Sequence, residues 1–272
     1  MKTHGLQGAR RQRAGFTLVE MIGVMAIIAI LASAIAPSAI RLIIRARGDQ
    51  ETNTVKALAE ELQQYVHRQK QIPAPSVAAW SAAIASLSDL PVDQIATNPG
   101  GYDRAVYFDP RFFTNTDTSF GGYTQTGGLN SAPVSPRFMV VSNLEGNVPA
   151  APVTHAAFSA IWEQTSAAGL VESESIKIER RNLGGLFRRV LLSNERNSEP
   201  SFQLEGGGRV ALATAPVGGP ATVSERYIIS DSRVSLYDAP FATAALEQVT
   251  LIDSDKHYRY RQDGADWVWE LP

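Results

Sequence analysis

The sequence predicts an α+β fold: a long N-terminal membrane-spanning α-helix, then a globular domain with an antiparallel β-sheet. Three observations predict it. Residues 16–36 form a strongly apolar run that carries one charge, Glu20. Further on, Val55, Leu58, Leu62 and Tyr65 recur at steps of three and four, which is a helical stripe. From about residue 176, short β-rich segments alternate with glycine- and asparagine-containing turns.

The apolar run sets the organisation of the chain. A short leader precedes it with Lys2, Arg10, Arg11 and Arg13 and no acid, and after Glu20 no charge appears until Arg41. At about 1.5 Å per helical residue, such a run covers the roughly 30 Å hydrocarbon core of a bilayer. The basic leader predicts a cytoplasmic N-terminus and translocation of the rest. Glu20 is the exception inside the run. A charge at the centre of a membrane helix costs about 2.5–3.5 kcal/mol, so a partner and a task are expected for it. It lies one helical turn from Phe16, near the membrane entrance, where a carboxylate also suits the helix dipole. Two plainer accounts fit less well. Ala32-Ser33-Ala34 and Ala34-Ile35-Ala36 offer signal-peptide-like cleavage sites, but the run exceeds the usual 7–15 residues of a secretory signal and contains Glu20. A plain anchor explains the length and the leader but leaves Glu20 without a role.

Arg11-Gln12-Arg13-Ala14-Gly15, followed by Phe16-Thr17-Leu18-Val19-Glu20 and the apolar helix, resembles the class III signal of type IV pilins and type II secretion pseudopilins. The resemblance covers about the first fifty residues. It implies cleavage by a prepilin peptidase between Gly15 and Phe16, and N-methylation of Phe16. It gives Glu20 the assembly role of pairing with a neighbouring subunit's N-terminus, and Pro37 the role of a helix kink. The expected fold becomes pilin-like: leader 1–15, long helix 16–72 with 16–36 as transmembrane and filament-core segment, and a periplasmic α+β domain over 73–272.

The expected partners are the prepilin peptidase, other pilin or pseudopilin subunits in a helical homo- or hetero-filament, an inner-membrane assembly platform and the lipid bilayer. Localisation would be single-pass in the inner membrane, then in a periplasmic or extracellular filament. The implied function is that of a structural or assembly subunit of a type IV pilus-like or type II secretion system filament. Alternatives are a minor pilin binding DNA or a secreted substrate, or a membrane-tethered periplasmic enzyme or adhesin that borrowed the signal.

After Pro37, which should loosen the helix, Gly48-Asp49 is a second weak point, either flexible or a break with Asp49 as a new N-cap. Gln71-Ile72-Pro73-Ala74-Pro75 ends the helix. Residues 76–90 read as a short helix capped by Ser76, and residues 154–165 as another. Residues 105–108 fall in an extended region punctuated by prolines and glycines, and strands are expected at 138–144, 176–181, 186–192, 202–204, 209–213, 227–230, 234–237, 249–252, 258–261 and 267–271. Asn182-Leu183-Gly184-Gly185 and Gly206-Gly207-Gly208 read as hairpin turns. Residues 114–136, rich in Gly, Thr, Ser and Asn, form the longest candidate loop.

Composition narrows the function classes. The 272 residues are 44% hydrophobic and 19% charged, which suits a globular chain rather than a disordered one. The leader takes 4 of the 25 basic residues and none of the 27 acidic ones, so the remainder carries about −6. That balance argues against sequence-independent nucleic-acid binding. The chain has no cysteine, which excludes thiol catalysis and cysteine-ligated zinc. It also departs from the many pilins that close a C-terminal loop with a disulfide.

No nucleophile elbow, P-loop, HExxH or GxGxxG pattern occurs, so no enzyme, catalytic residue, cofactor or metal site is assigned. The four histidines, His4, His67, His155 and His257, read as ordinary core or surface residues. Arg180, Arg181, Arg188 and Arg189 around Phe187 read either as a nucleic-acid platform or as a solvated face paired with Glu172, Glu174, Glu179 and Glu195; the second is favoured. Asp253, Asp255, Asp263 and Asp266 suit a hard cation in chemistry but lack the spacing of a known calcium loop.

Overall fold

A computed structural model of the chain describes residues 17–113, 129, 133–205, 208–238, 247–249, 252–263 and 266–271. Two compact units emerge, Met1–Arg47 and Gly48–Pro272. The longest element, α1 (Leu18–Gln69), contributes to both.

In the first unit, every described side chain of residues 18–33 is exposed, apolar ones included. Leu18 is 75% exposed and Ile30 68%. Among the described residues no helix is long and apolar enough to cross a membrane. The described side chains of the apolar run stop at Ser33, short of the roughly 20 residues a span needs. The expectation of a transmembrane helix over 16–36 is therefore not met within the described part. Pro37 lies inside α1, whose backbone stays helical there, and its side chain lies outside the described residues.

In the second unit α1 shows one buried stripe: Glu51, Val55, Leu58, Ala59, Leu62 and Val66. These steps of three and four keep one face toward the core. Val66 takes the place expected of Tyr65, which is only half-buried. Gly48-Asp49 does not break the helix. Gly48 is instead a point of close approach, since a Cβ there would come within 3.3 Å of the Glu174 carbonyl oxygen. The helix ends at Lys70, whose left-handed φ of 55° turns the chain out of the helix.

Two short helices follow, α2 (Val77–Ala85) and α3 (Val92–Ala96). Ser76 caps α2 as expected, accepting from the Ala79 amide at 3.3 Å. The sequence does not announce α3, because its five residues are too few for a period to show.

The first sheet has the order β1-β2-β3, all antiparallel, from β1 (Ala105–Phe108), β2 (Arg137–Asn143) and β3 (Ile176–Asn182). On one face Val106, Phe108, Phe138 and Val140 join the stripe of α1 in a common core. On the other, Tyr107, Met139, Val141 and Ile178 pack with Phe158 and Ile161 of α4 (His155–Glu163). Helices thus cover both faces, and central β2 is apolar along nearly its whole length rather than alternating.

The remaining strands are β4 (Phe187–Asn194), β5 (Ser201–Leu204), β6 (Arg209–Ala211), β7 (Thr222–Ile229), β8 (Val234–Tyr237), β9 (Glu247–Val249), β10 (Lys256–Asp263) and β11 (Asp266–Glu270). They form two four-stranded sheets, β11-β10-β4-β7 and β6-β5-β8-β9. Leu192, Ile228, Tyr258 and Tyr260 of the first share one core with Phe202, Leu204, Val234 and Leu236 of the second. Pairing is antiparallel throughout except for β4 with β10, which is parallel. The fold is therefore α+β, an N-terminal helix with predominantly antiparallel sheets in a globular unit.

One expected hairpin is overturned. The segments at 176–181 and 186–192 do not pair; β3 ends the first sheet and β4 lies inside the second. Between them Leu183 is fully buried, and its amide donates to the Pro136 carbonyl at 2.7 Å. Sinking Leu183 and Phe187 into the core beneath α1 forces the chain through the tight turn Gly184–Leu186 into another sheet. The hairpin of β5 with β6 does form. Residues 114–128 and 130–132 of the expected long loop lie outside the described residues.

Candidate functional site

The residues that point to a function begin at Thr17. Its amide and its hydroxyl both donate to Glu20 Oε2, at 2.9 and 3.0 Å, and the Glu20 amide donates back to Thr17 Oγ1 at 3.3 Å. This is a reciprocal capping box, with Thr17 as N-cap of α1 and Glu20 at its third position. The arrangement folds the carboxylate back over the start of the helix, where amide donors and the helix dipole both favour negative charge. The Glu20 carboxylate is thereby held against Thr17, the residue next to Phe16 in sequence, which suits an ammonium group at that end. Gly15 and Phe16 themselves lie outside the described residues. The Thr-x-x-Glu spacing was a readable signal for this cap, and sequence reasoning used only the dipole.

From this cap onward the described helix presents apolar side chains on every side, Leu18, Val19, Met21, Ile22, Met25 and Ile30 among them. A helix that is apolar all round requires an apolar environment around it.

A different polar device fixes α1 within the second unit, and no local pattern in the sequence announces it. Glu51 is fully buried and receives Arg104 Nε at 2.6 Å and Nη2 at 2.8 Å. Arg104 Nη1 also reaches the carbonyls of Gln94, Ile95 and Thr97, at 2.7 to 3.0 Å. The bidentate fork and the carbonyls around α3 together satisfy the guanidinium in the interior. At the far end of α1, His67 Nε2 lies 2.9 Å from Asp231 Oδ2, and Lys70 Nζ donates to the Ser230 carbonyl. Burial pushes the Lys70 ammonium below its ordinary range, with Asp231 and Glu205 opposing the shift.

The basic patch separates into paired charges. Arg180 meets Glu172 at 3.0 Å, and Arg181 meets Glu60 and Glu179 at 3.0 and 3.1 Å. Arg189 is paired with Glu225, while Arg188 donates to the Asp253 carbonyl at 3.0 Å. Phe187 is buried, so it offers no stacking platform. Because β3 and β4 belong to different sheets, the four arginines do not share one hairpin.

Of the four aspartates, Asp253 meets Lys256 at 3.4 Å and Asp255 accepts the Arg189 amide at 2.9 Å. The side chains of Asp263 and Asp266 lie outside the described residues. Among the described residues no group of three or more His, Asp or Glu is placed to hold a metal. His257 Nε2 lies 2.7 Å from Ser193 Oγ, and burial, then Arg259 and Arg189, lower its basicity. His155 Nδ1 lies 2.9 Å from Asp109 Oδ2. His4 lies outside the described residues.

Residues 10–36 match the family model of the prokaryotic N-terminal methylation motif. No curated protein and no solved structure matches the chain. The chain carries a type IV pilin- or pseudopilin-like prepilin signal at its N-terminus.

Proposed function

We propose that this chain is a subunit of a type IV pilus-like or type II secretion-like filament, with a pilin-like fold. A prepilin peptidase cuts between Gly15 and Phe16 on the cytoplasmic side, and Phe16 is methylated. Residues 16–36 then hold the subunit in the inner membrane until assembly, with the Gly48–Pro272 unit on the periplasmic side. In the filament, apolar helices bundle and shield one another from water, and Glu20 meets the amino terminus of a neighbour. Pro37 weakens the helix beyond that point by removing one backbone donor. This role is structural and asks no chemistry of the chain.

The observation that carries the reading is the prepilin signal at residues 10–36, reinforced by the Thr17–Glu20 cap directly behind the cleavage point. The test is the mass of the N-terminal peptide of membrane-derived protein, from cells with and without the prepilin peptidase. A terminus at methylated Phe16 that depends on the peptidase is expected. An intact Met1, or a terminus near Ala36, would overturn the reading and leave an ordinary anchored or secreted domain. The pairing of the arginine patch favours protein partners over nucleic acid.

A further inference from the structure

We propose that Ser159 is an activated nucleophile, served by His155 as general base and oriented by the buried Asp109, able to take an acyl group from an ester. The three side chains form an Asp–His–Ser relay running from the interior to the surface. Asp109 follows β1 and is fully buried, while His155 is 40% exposed and opens α4. Ser159 is partly buried one turn further along the same helix.

The hydrogen-bond directions define the roles. Asp109 Oδ2 accepts from Arg111 Nη2 at 2.8 Å and lies 2.9 Å from His155 Nδ1. Asp109 Oδ1 takes the Arg111 amide and Nε, both at 3.1 Å. A carboxylate so engaged only accepts, which puts the proton of the neutral imidazole on Nδ1 and a lone pair on Nε2. That Nε2 is 3.4 Å from Ser159 Oγ. Arg137 Nη2 donates to the same Oγ at 3.0 Å, so the hydroxyl proton is left to point at the imidazole.

Other helical hydroxyls in this chain behave differently. Ser33, Thr52 and Thr54 in α1 and Ser81 in α2 donate to backbone carbonyls of the preceding turn, as do Ser86 and Ser88 just past the end of α2. That is the ordinary arrangement for such residues. Ser159 instead has a base and a cation as its partners among the described residues. A hydroxyl held against a base that a third group orients is the signature of an activated nucleophile, often looser without substrate.

In the reaction, Ser159 Oγ forms a bond to the ester carbonyl carbon and its proton passes to His155 Nε2. The carbon–oxygen bond to the alcohol then breaks, and the alcohol leaves with that proton. Water then bonds to the acyl carbon as His155 Nε2 takes its proton, the Oγ–carbon bond breaks, and that proton passes to Ser159 Oγ as the acid leaves. The Arg137 guanidinium, held over the Trp162 ring at 4.8 Å beside Ser159, supplies positive charge for the oxyanion that develops on the carbonyl oxygen. This activity goes beyond filament assembly and does not depend on it.

The test treats the full-length protein in detergent with a fluorophosphonate, which forms an Oγ–P bond and releases fluoride and a proton, and maps the adduct by peptide mass. An adduct on Ser159 is expected, formed roughly 100-fold or more slowly in His155→Gln. Hydrolysis of p-nitrophenyl acetate should be lost in Ser159→Ala. Both variants change partly exposed side chains, and unchanged thermal unfolding confirms that they fold. No adduct on Ser159, or equal labelling with and without His155, would overturn the proposal. Neither result bears on the N-terminal peptide mass, so the two readings fail separately.

Discussion

The two halves of α1 solve opposite problems with the same secondary structure. Residues 18–33 present apolar side chains around the whole circumference, with Glu20 folded into the cap as their one charge. Residues 48–69 present a single buried stripe with polar and charged groups elsewhere, and one buried carboxylate, Glu51, answered by Arg104. The second half obtains its environment from the rest of its own unit. The first has no such covering among the described residues, and in the proposed filament subunit it would obtain one from lipid or from other helices. A carboxylate marks each half, and each is satisfied locally: Glu20 by the helix start, Glu51 by a fixed guanidinium.

Breaking the second half should have the largest effect. Glu51→Ala strands a buried guanidinium and should lower the stability of the full chain in detergent by about 3–5 kcal/mol in a denaturant titration. Replacing both partners, Glu51→Met with Arg104→Met, should recover most of that loss, because no charge is then left unpaired.

Leucines separate the halves more directly. Leu62→Ala removes a fully buried side chain from the core and should cost about 2–5 kcal/mol. Leu31→Ala, in the exposed half, should leave the unfolding midpoint within about 0.5 kcal/mol of the parent. Equal losses in the two variants would erase the distinction.

The smallest effect concerns Glu61, also in the second half. Burial pushes its carboxyl above the ordinary range, with Ser88 opposing, and its Oε2 has no hydrogen-bond partner among the described residues. A raised value in the folded state means that the contribution of Glu61 to stability is fully present in acid and is lost as pH rises through the raised value. Glu61→Gln should flatten this decline, and melt no lower than the parent at neutral pH, with a gain below about 1 kcal/mol. Thermal melts from mildly acidic to neutral pH check it.

The sequence made the fold class and the N-terminal motif legible for physical reasons. Periodicity revealed α1, the cap Ser76 marked α2, and β-rich runs located most strands. Long-range pairing was not legible. Asn182-Leu183-Gly184-Gly185 has the composition of a hairpin turn, and only the burial of Leu183 shows that the chain changes sheets there. Glu51 and Arg104 lie 53 positions apart, and nothing local signals their pairing. The same holds for Asp109 and His155, 46 positions apart, which is why His155 read as an ordinary core or surface residue. Glu20 was legible because its oddity is local: one charge in an apolar run.

The central claim, that the first half of α1 is shielded by lipid or sister helices, can be tested directly because the chain has no cysteine. Single variants Ile30→Cys and Gln64→Cys, both at exposed positions, would be treated in native membranes with a water-soluble maleimide. The expected result is rapid labelling of Gln64→Cys and almost none of Ile30→Cys, with both labelled once detergent and denaturant are added. Equal labelling of the two in intact membranes would contradict the account.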